Sequence, residues 1–119
     1  RDIPVEQRLK EIGCEFVTAV LRNQKHIAIF TREEKNLLPD GFERINAMRR
    51  EFDKKLTDIL EEGNRSGKFD IEDTHLAALA IGGLVSWSYV WYRPFGRLSV
   101  EQVASRLSVM ILNLAGAKD

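Results

Sequence analysis

Leu76 to Tyr92 reads LAALAIGGLVSWSYVWY and holds no formally charged residue, in a chain where charged residues make up 30%. Placing successive residues about 100° apart on a helix puts Leu76, Leu79, Ala80, Gly83, Trp87, Val90 and Trp91 on one side. Ala78, Ile81, Val85, Tyr89 and Tyr92 fall on the other. A surface helix has one apolar stripe and one polar face, so a helix that is apolar all round has to be covered all round. The rest of a 119-residue chain can cover one side. The other side calls for a second copy of the chain, a membrane or a ligand.

The sequence around this stretch reads as more helices. Val5, Leu9, Ile12, Phe16 and Val20 recur at spacings of four and three behind Asp2-Ile3-Pro4, which predicts a first helix of about 20 residues. A shorter helix is expected from His26 to Leu37, anchored by Ile27, Phe30 and Leu37, and Leu38-Pro39-Asp40-Gly41 should end it. Asp40 with Glu43 has the spacing of a capping box for a third helix, whose apolar stripe is Phe42, Ile45, Met48, Phe52, Leu56, Ile59 and Leu60. Gly63 to Gly67 closes that helix, and Asp70 is the expected cap of the next. Arg93-Pro94-Phe95-Gly96-Arg97 terminates the uncharged stretch. Ser99 with Gln102 opens a last helix that Gly116 closes. With no strand alternation and no internal repeat, the expectation is an all-α chain: one domain over residues 1–119, an antiparallel bundle of about five helices.

Charge and composition narrow the function. Eighteen basic and 18 acidic residues cancel, so no net field draws the chain to nucleic acid or anionic lipid. One cysteine, Cys14, cannot form an internal disulfide, which fits a reducing cytoplasm. The first residues contain no apolar run of signal-peptide length, and the absence of an initiating Met points to a fragment or a processed chain. His26 and His75 stand apart, without a metal-ligand or nucleophile motif, and no Gly-rich phosphate loop is present. No catalytic residue, metal site or cofactor is therefore expected.

A membrane covers the free side of the uncharged stretch poorly, because 17 residues at about 1.5 Å each fall short of a hydrocarbon core about 30 Å thick. A second copy covers it better. The last helix is also over-supplied with apolar residues and is joined to the stretch by a short turn, so two such pairs would form a four-helix interface between subunits. Ala78, Ile81, Gly82, Val85, Tyr89 and Tyr92, with Val103, Leu107, Met110 and Leu114 of the last helix, are the expected interface residues. A bulky apolar ligand could fill a gap among Phe16, Val20, Phe30, Met48, Phe52, Leu79, Gly83 and Trp87, although an aromatic stripe is more often core than pocket. The two sides of the stretch could equally be exchanged, since both are apolar.

The segment WYRPFGRLS at 91–99, followed by VEQVASRLSVMILNLAG, resembles the closing helices of the C-terminal regulatory domain of tetracycline-repressor-like (TetR family) transcription regulators. INAMRREFDKKLTDILEEGNRSGKFDIEDTHLAALAIGGLVSW at 45–87 is similar to the helices that precede them, and the likeness is nearest to regulators of sterol, fatty-acid and acyl-CoA catabolism. The resemblance implies a homodimeric repressor domain sensing an apolar or acyl-CoA-like effector, with operator DNA bound only through an N-terminal helix-turn-helix domain absent from this sequence. A helical dimerisation or partner-docking module without a ligand is the alternative.

Overall fold

A computed structural model describes residues 3–32 and 39–117, including every side chain in them outside 30–32, 39–46 and 48. Six helices follow one another: α1 (Val5–Arg22), α2 (Gln24–Arg32), α3 (Pro39–Arg65), α4 (Thr74–Ser86), α5 (Ser88–Trp91) and α6 (Val100–Leu114). No strand occurs among the described residues. The expected cap pairing of Asp40 with Glu43, and the end of the second helix at 33–38, lie outside the described residues and side chains.

The helix around which the bundle is built is α1, which touches each of the other five. Its buried stripe is Val5, Leu9, Ile12, Gly13, Val17, Val20 and Leu21. That is broader than the expected stripe because α1 is covered on two sides. Gly13 sits where α6 crosses closely: a Cβ there would lie 3.1 Å from Ile111 Cδ1 and 3.2 Å from Ser108 Oγ. The half-buried Cys14 fills the same crossing, with Sγ 3.0 Å from Ser108 Oγ. Ser108 in turn donates to the Ala104 carbonyl at 2.8 Å, so this buried hydroxyl is satisfied within its own helix.

Helix ends follow local chemistry. Both α3 and α6 close with a Schellman pattern. Lys68 N–H donates to Gly63 O and Gly67 N–H to Asn64 O, with Gly67 at φ 79°. Ala117 N–H donates to Leu112 O and Gly116 N–H to Asn113 O, with Gly116 at φ 67°. The Ser99 capping box forms in both directions, at 3.1 Å and 2.9 Å. The cap of α4 is Asp73, accepting from Leu76 N–H at 3.1 Å, and not the expected Asp70. Asp70 N–H instead bonds the Ala115 carbonyl and ties this segment to the end of α6. Asn64 fixes the intervening turn by holding both the N–H and the C=O of Ile71 at 2.9 Å.

The uncharged stretch is two helices and not one. Ser88 is fully buried and its hydroxyl donates to the Val85 carbonyl at 2.6 Å, while Val90 N–H bonds Trp87 O in a tighter turn. A serine that takes a carbonyl from the helix ladder bends the helix, which accounts for the break at Trp87. Gln24 anchors the far end, its Nε2 donating to the carbonyls of Tyr89 and Tyr92 at 2.7 and 2.8 Å.

Beyond α5, Phe95 has φ 61° and a fully exposed side chain. An aromatic residue in the left-handed region costs of the order of 1 kcal/mol, and the fully exposed Phe95 ring is not packed against any of the described residues to offset it. Phe95→Asn should stabilise the chain by about 0.5–1 kcal/mol, read as a rise of a few degrees in Tm. At the start of α6, hydrogen bonding of the backbone at its own first-turn position, and then the Arg22 guanidinium 3.2 Å away, hold the exposed Glu101 carboxyl below its ordinary value of 4.5. A folded-state value below the unfolded one stabilises at pH above 4.5, and the contribution disappears as pH falls through the lowered value. Glu101→Gln should therefore lower the neutral Tm slightly and leave the Tm in strong acid unchanged, which flattens the acid limb of a Tm-against-pH curve.

Candidate functional site

Two features stand open to solvent: a groove between α1 and α3, and an apolar face of α4, α5 and α6. The groove is open to solvent, has a volume of about 220 Å³, and is lined by Ile12, Glu15, Phe16 and Ala19 of α1 and Glu51, Phe52 and Lys55 of α3. At its floor the Phe16 and Phe52 rings stack with centroids 3.7 Å apart and an interplanar angle of 22°. They are placed by helical spacing: Phe16 is four residues beyond Ile12 on α1, and Phe52 is one turn before Leu56 on α3. A second hollow continues the groove toward the start of α1, sharing Ile12, Glu15 and Lys55 and adding Arg8, Glu11, Asp58 and Ile59. Arg8 bridges across it to Glu62, tying α1 to α3.

Of the residues expected around a ligand, Phe16 and Phe52 meet in this groove. Val20 is buried in the core. The side chains of Phe30 and Met48 lie outside those described. Leu79, Gly83 and Trp87 are elsewhere: Leu79 is 60% and Trp87 61% exposed on the outer face of α4, and a Cβ added at Gly83 would meet nothing within 4 Å.

That placement corrects the expected sides of the uncharged stretch. Ala78, Ile81 and Val85, assigned by sequence to a second subunit, are buried in the protomer's own core with Ala77 and Ser88. Tyr89 and Tyr92 are half-buried against the same core, and Gly82 is half-buried. In α6, Val103 and Leu107 likewise face inward, whereas Met110 and Leu114 are 54% and 41% exposed. The physical reason is side-chain size. Both sides of the stretch are apolar, so hydrophobicity does not choose between them, but alanine, valine and serine allow α4 to lie close to its neighbours where two indoles would not. The indoles of Trp87 and Trp91 are left outside, joined by Leu76, Leu79, Val90, Val109, Met110 and Leu114 in the exposed apolar set. Sequence reading missed Gln24, Asn64 and Ser88, whose partners are backbone carbonyls or N–H groups with no residue code. It could have found Asp73, which directly precedes the apolar run.

Among the described residues, no three or more His, Cys, Asp or Glu side chains gather to hold a metal, and no helix is long and apolar enough to cross a membrane.

The tetracyclin repressor-like, C-terminal domain family matches residues 2–115. Among solved structures, a bacterial regulatory protein in the TetR family from Rhodococcus RHA1 superposes with a TM-score of 0.83 at 29% identity, over 99% of this chain and 62% of that one. A TetR/AcrR-family transcriptional regulator from Thermobifida fusca YX-ER1 gives 0.78 at 26% identity, over 95% and 60%. AibR, solved in complex with isovaleryl coenzyme A and operator DNA, gives 0.71 at 25% identity, over 98% and 63%. The chain thus spans less than two thirds of each of these structures. No curated protein matches it.

Proposed function

We propose that this chain, which belongs to the tetracyclin repressor-like C-terminal domain family, is the effector-sensing and dimerising part of a transcriptional repressor that reaches operator DNA through a segment outside residues 1–119. The observation that carries the proposal is the coexistence of an aromatic groove between α1 and α3 with an uncovered apolar face on α4–α6. One feature suits a small apolar guest and the other a second copy of the chain. An apolar or acyl-CoA-like effector is in keeping with the isovaleryl coenzyme A bound by AibR. The dimer face we assign is Leu79, Gly83, Trp87, Met110 and Leu114, in place of the buried Ala78, Ile81, Val85, Val103 and Leu107.

In the mechanism, the effector selects one of two arrangements of α1 against α3. Because α1 is packed against α6 through Gly13, a change at the groove is transmitted toward the dimer face and toward the start of the chain. A tenfold shift in population needs about 1.4 kcal/mol of differential binding. Opening or filling a gap beside one phenylalanine is enough for that, at about 1.5–3 kcal/mol for burying such a side chain.

The test is operator affinity of the full-length protein, measured with and without a panel of acyl-CoA thioesters and uncharged apolar compounds. At least one is expected to weaken operator binding about tenfold or more. Phe52→Ala should reduce that response by a similar factor while the protein without effector still binds operator. A panel that leaves operator affinity unchanged throughout contradicts the sensor reading and favours a dimerisation module without a ligand.

A further inference from the structure

We infer that the α1–α3 groove selects its occupant by charge, taking an apolar group that carries a positive head and rejecting an anionic head of the same size. The inference deepens the sensor reading and rests on it. Ile12, Phe16 and Phe52 supply the apolar floor. Around it and the adjoining hollow stand the carboxylates of Glu11, Glu15, Glu51 and Asp58 and two cations, Arg8 and Lys55. Both cations are engaged within the protein, Arg8 by Glu62 and Lys55 by Glu51 at 3.4 Å. Glu11 receives only the Gln7 side chain, at 3.5 Å, and Glu15 and Asp58 have no recorded partner among the described residues. The mouth therefore presents three carboxylates whose charge no cation of the described lining neutralises.

Two properties of this arrangement act in the same direction. The carboxylates attract a cation and repel an anion placed over the floor, and the face of an aromatic ring adds a further preference for the cation. An occupant with an anionic portion, such as the polyphosphate of a coenzyme A thioester, has to seat that portion away from Glu11, Glu15 and Asp58. Its acyl end can still use the floor.

A pair of ligands that differ only in the head decides the matter: 4-hexyl-N,N,N-trimethylanilinium and 4-hexylbenzenesulfonate. Binding to the protein is measured by calorimetry at low salt and at about 1 M salt, where the screening length is about 3 Å. Nuclear magnetic resonance shifts at Phe16 and Phe52 locate each ligand. The expected result is that the cation binds at the Phe pair about tenfold tighter than the sulfonate at low salt, and that the ratio falls toward one at high salt. The ratio should also fall toward one in Glu11→Gln/Glu15→Gln/Asp58→Asn, whose three positions are exposed and whose Tm should match the parent's. A sulfonate that binds as tightly as the cation, or a ratio that survives in the triple variant, overturns charge selection and leaves the operator-release test of the sensor reading intact. Binding of neither ligand at the Phe pair overturns both charge selection and the assignment of the groove.

Discussion

Replacing Leu79 with Glu is expected to break the proposed dimer, whose mass in solution would be near twice 13.6 kDa for this chain, into a monomer near 13.6 kDa. Leu79 is 60% exposed in the protomer, so the fold loses little by the change. The dimer loses the burial of a leucine, about 1.5–3 kcal/mol, and gains an unpaired charge in an apolar contact, about 3–5 kcal/mol. A two-fold interface carries the substitution twice. The dimer dissociation constant should rise at least about a thousandfold, beyond micromolar working concentrations. Light scattering measures it, and an unchanged far-ultraviolet circular dichroism spectrum would show that the helices survive. Gly83→Leu is the companion variant: the protomer has open space there, so a change in mass would come from the contact between copies. A parent chain that is already monomeric contradicts the assigned face.

The second large effect is on stability. Gly63→Ala improves intrinsic helix propensity by nearly 1 kcal/mol, and on an exposed helix it would stabilise. Here the added methyl would overlap the Phe69 ring, which lies directly over Gly63 and is only 2% exposed. The ring is held by its backbone as well, since Phe69 N–H bonds the Gly63 carbonyl at 3.0 Å. Overpacking of a fixed ring costs about 1–3 kcal/mol or more and exceeds the propensity gain. We expect a net loss of about 2 kcal/mol, seen as a fall of several degrees in Tm. Phe69→Ala alone should cost about 3–5 kcal/mol through its cavity. The double variant should lose less than the sum, because removal of the ring frees the space that the methyl needs.

These effects bear on what the sequence could reveal. Ser99 with Gln102 was legible because each partner is named by a residue type at a fixed spacing of three. Gly116 was legible because only a residue without Cβ enters the left-handed region cheaply. The all-helical bundle followed from apolar spacings that survive whatever packs against them. By contrast, the orientation of α4 was not legible, since both of its sides are apolar and the choice depends on the shapes of neighbours. Met110 and Ile111 show the same limit: adjacent in sequence and both apolar, they end 54% exposed and fully buried. Of the groove, the apolar spacing pointed to Phe16 and Phe52 but gave neither their stacking nor the carboxylates at its mouth. Those come from the register of α1 against α3, which depends on tertiary packing.

In the proposed function, an effector in the α1–α3 groove changes how two copies hold the starts of their α1 helices. The most direct measurement places one spin label at Gln7 of each protomer, in a Cys14→Ser background of the full-length protein, and records the distance between labels by pulsed electron resonance. Gln7 is exposed near the start of α1, so the label reports the position of the helix without disturbing its packing. Adding a compound that releases operator is predicted to move the distance distribution to a new maximum, and Phe52→Ala should abolish that movement. A distribution that stays in place while operator is released would contradict the account.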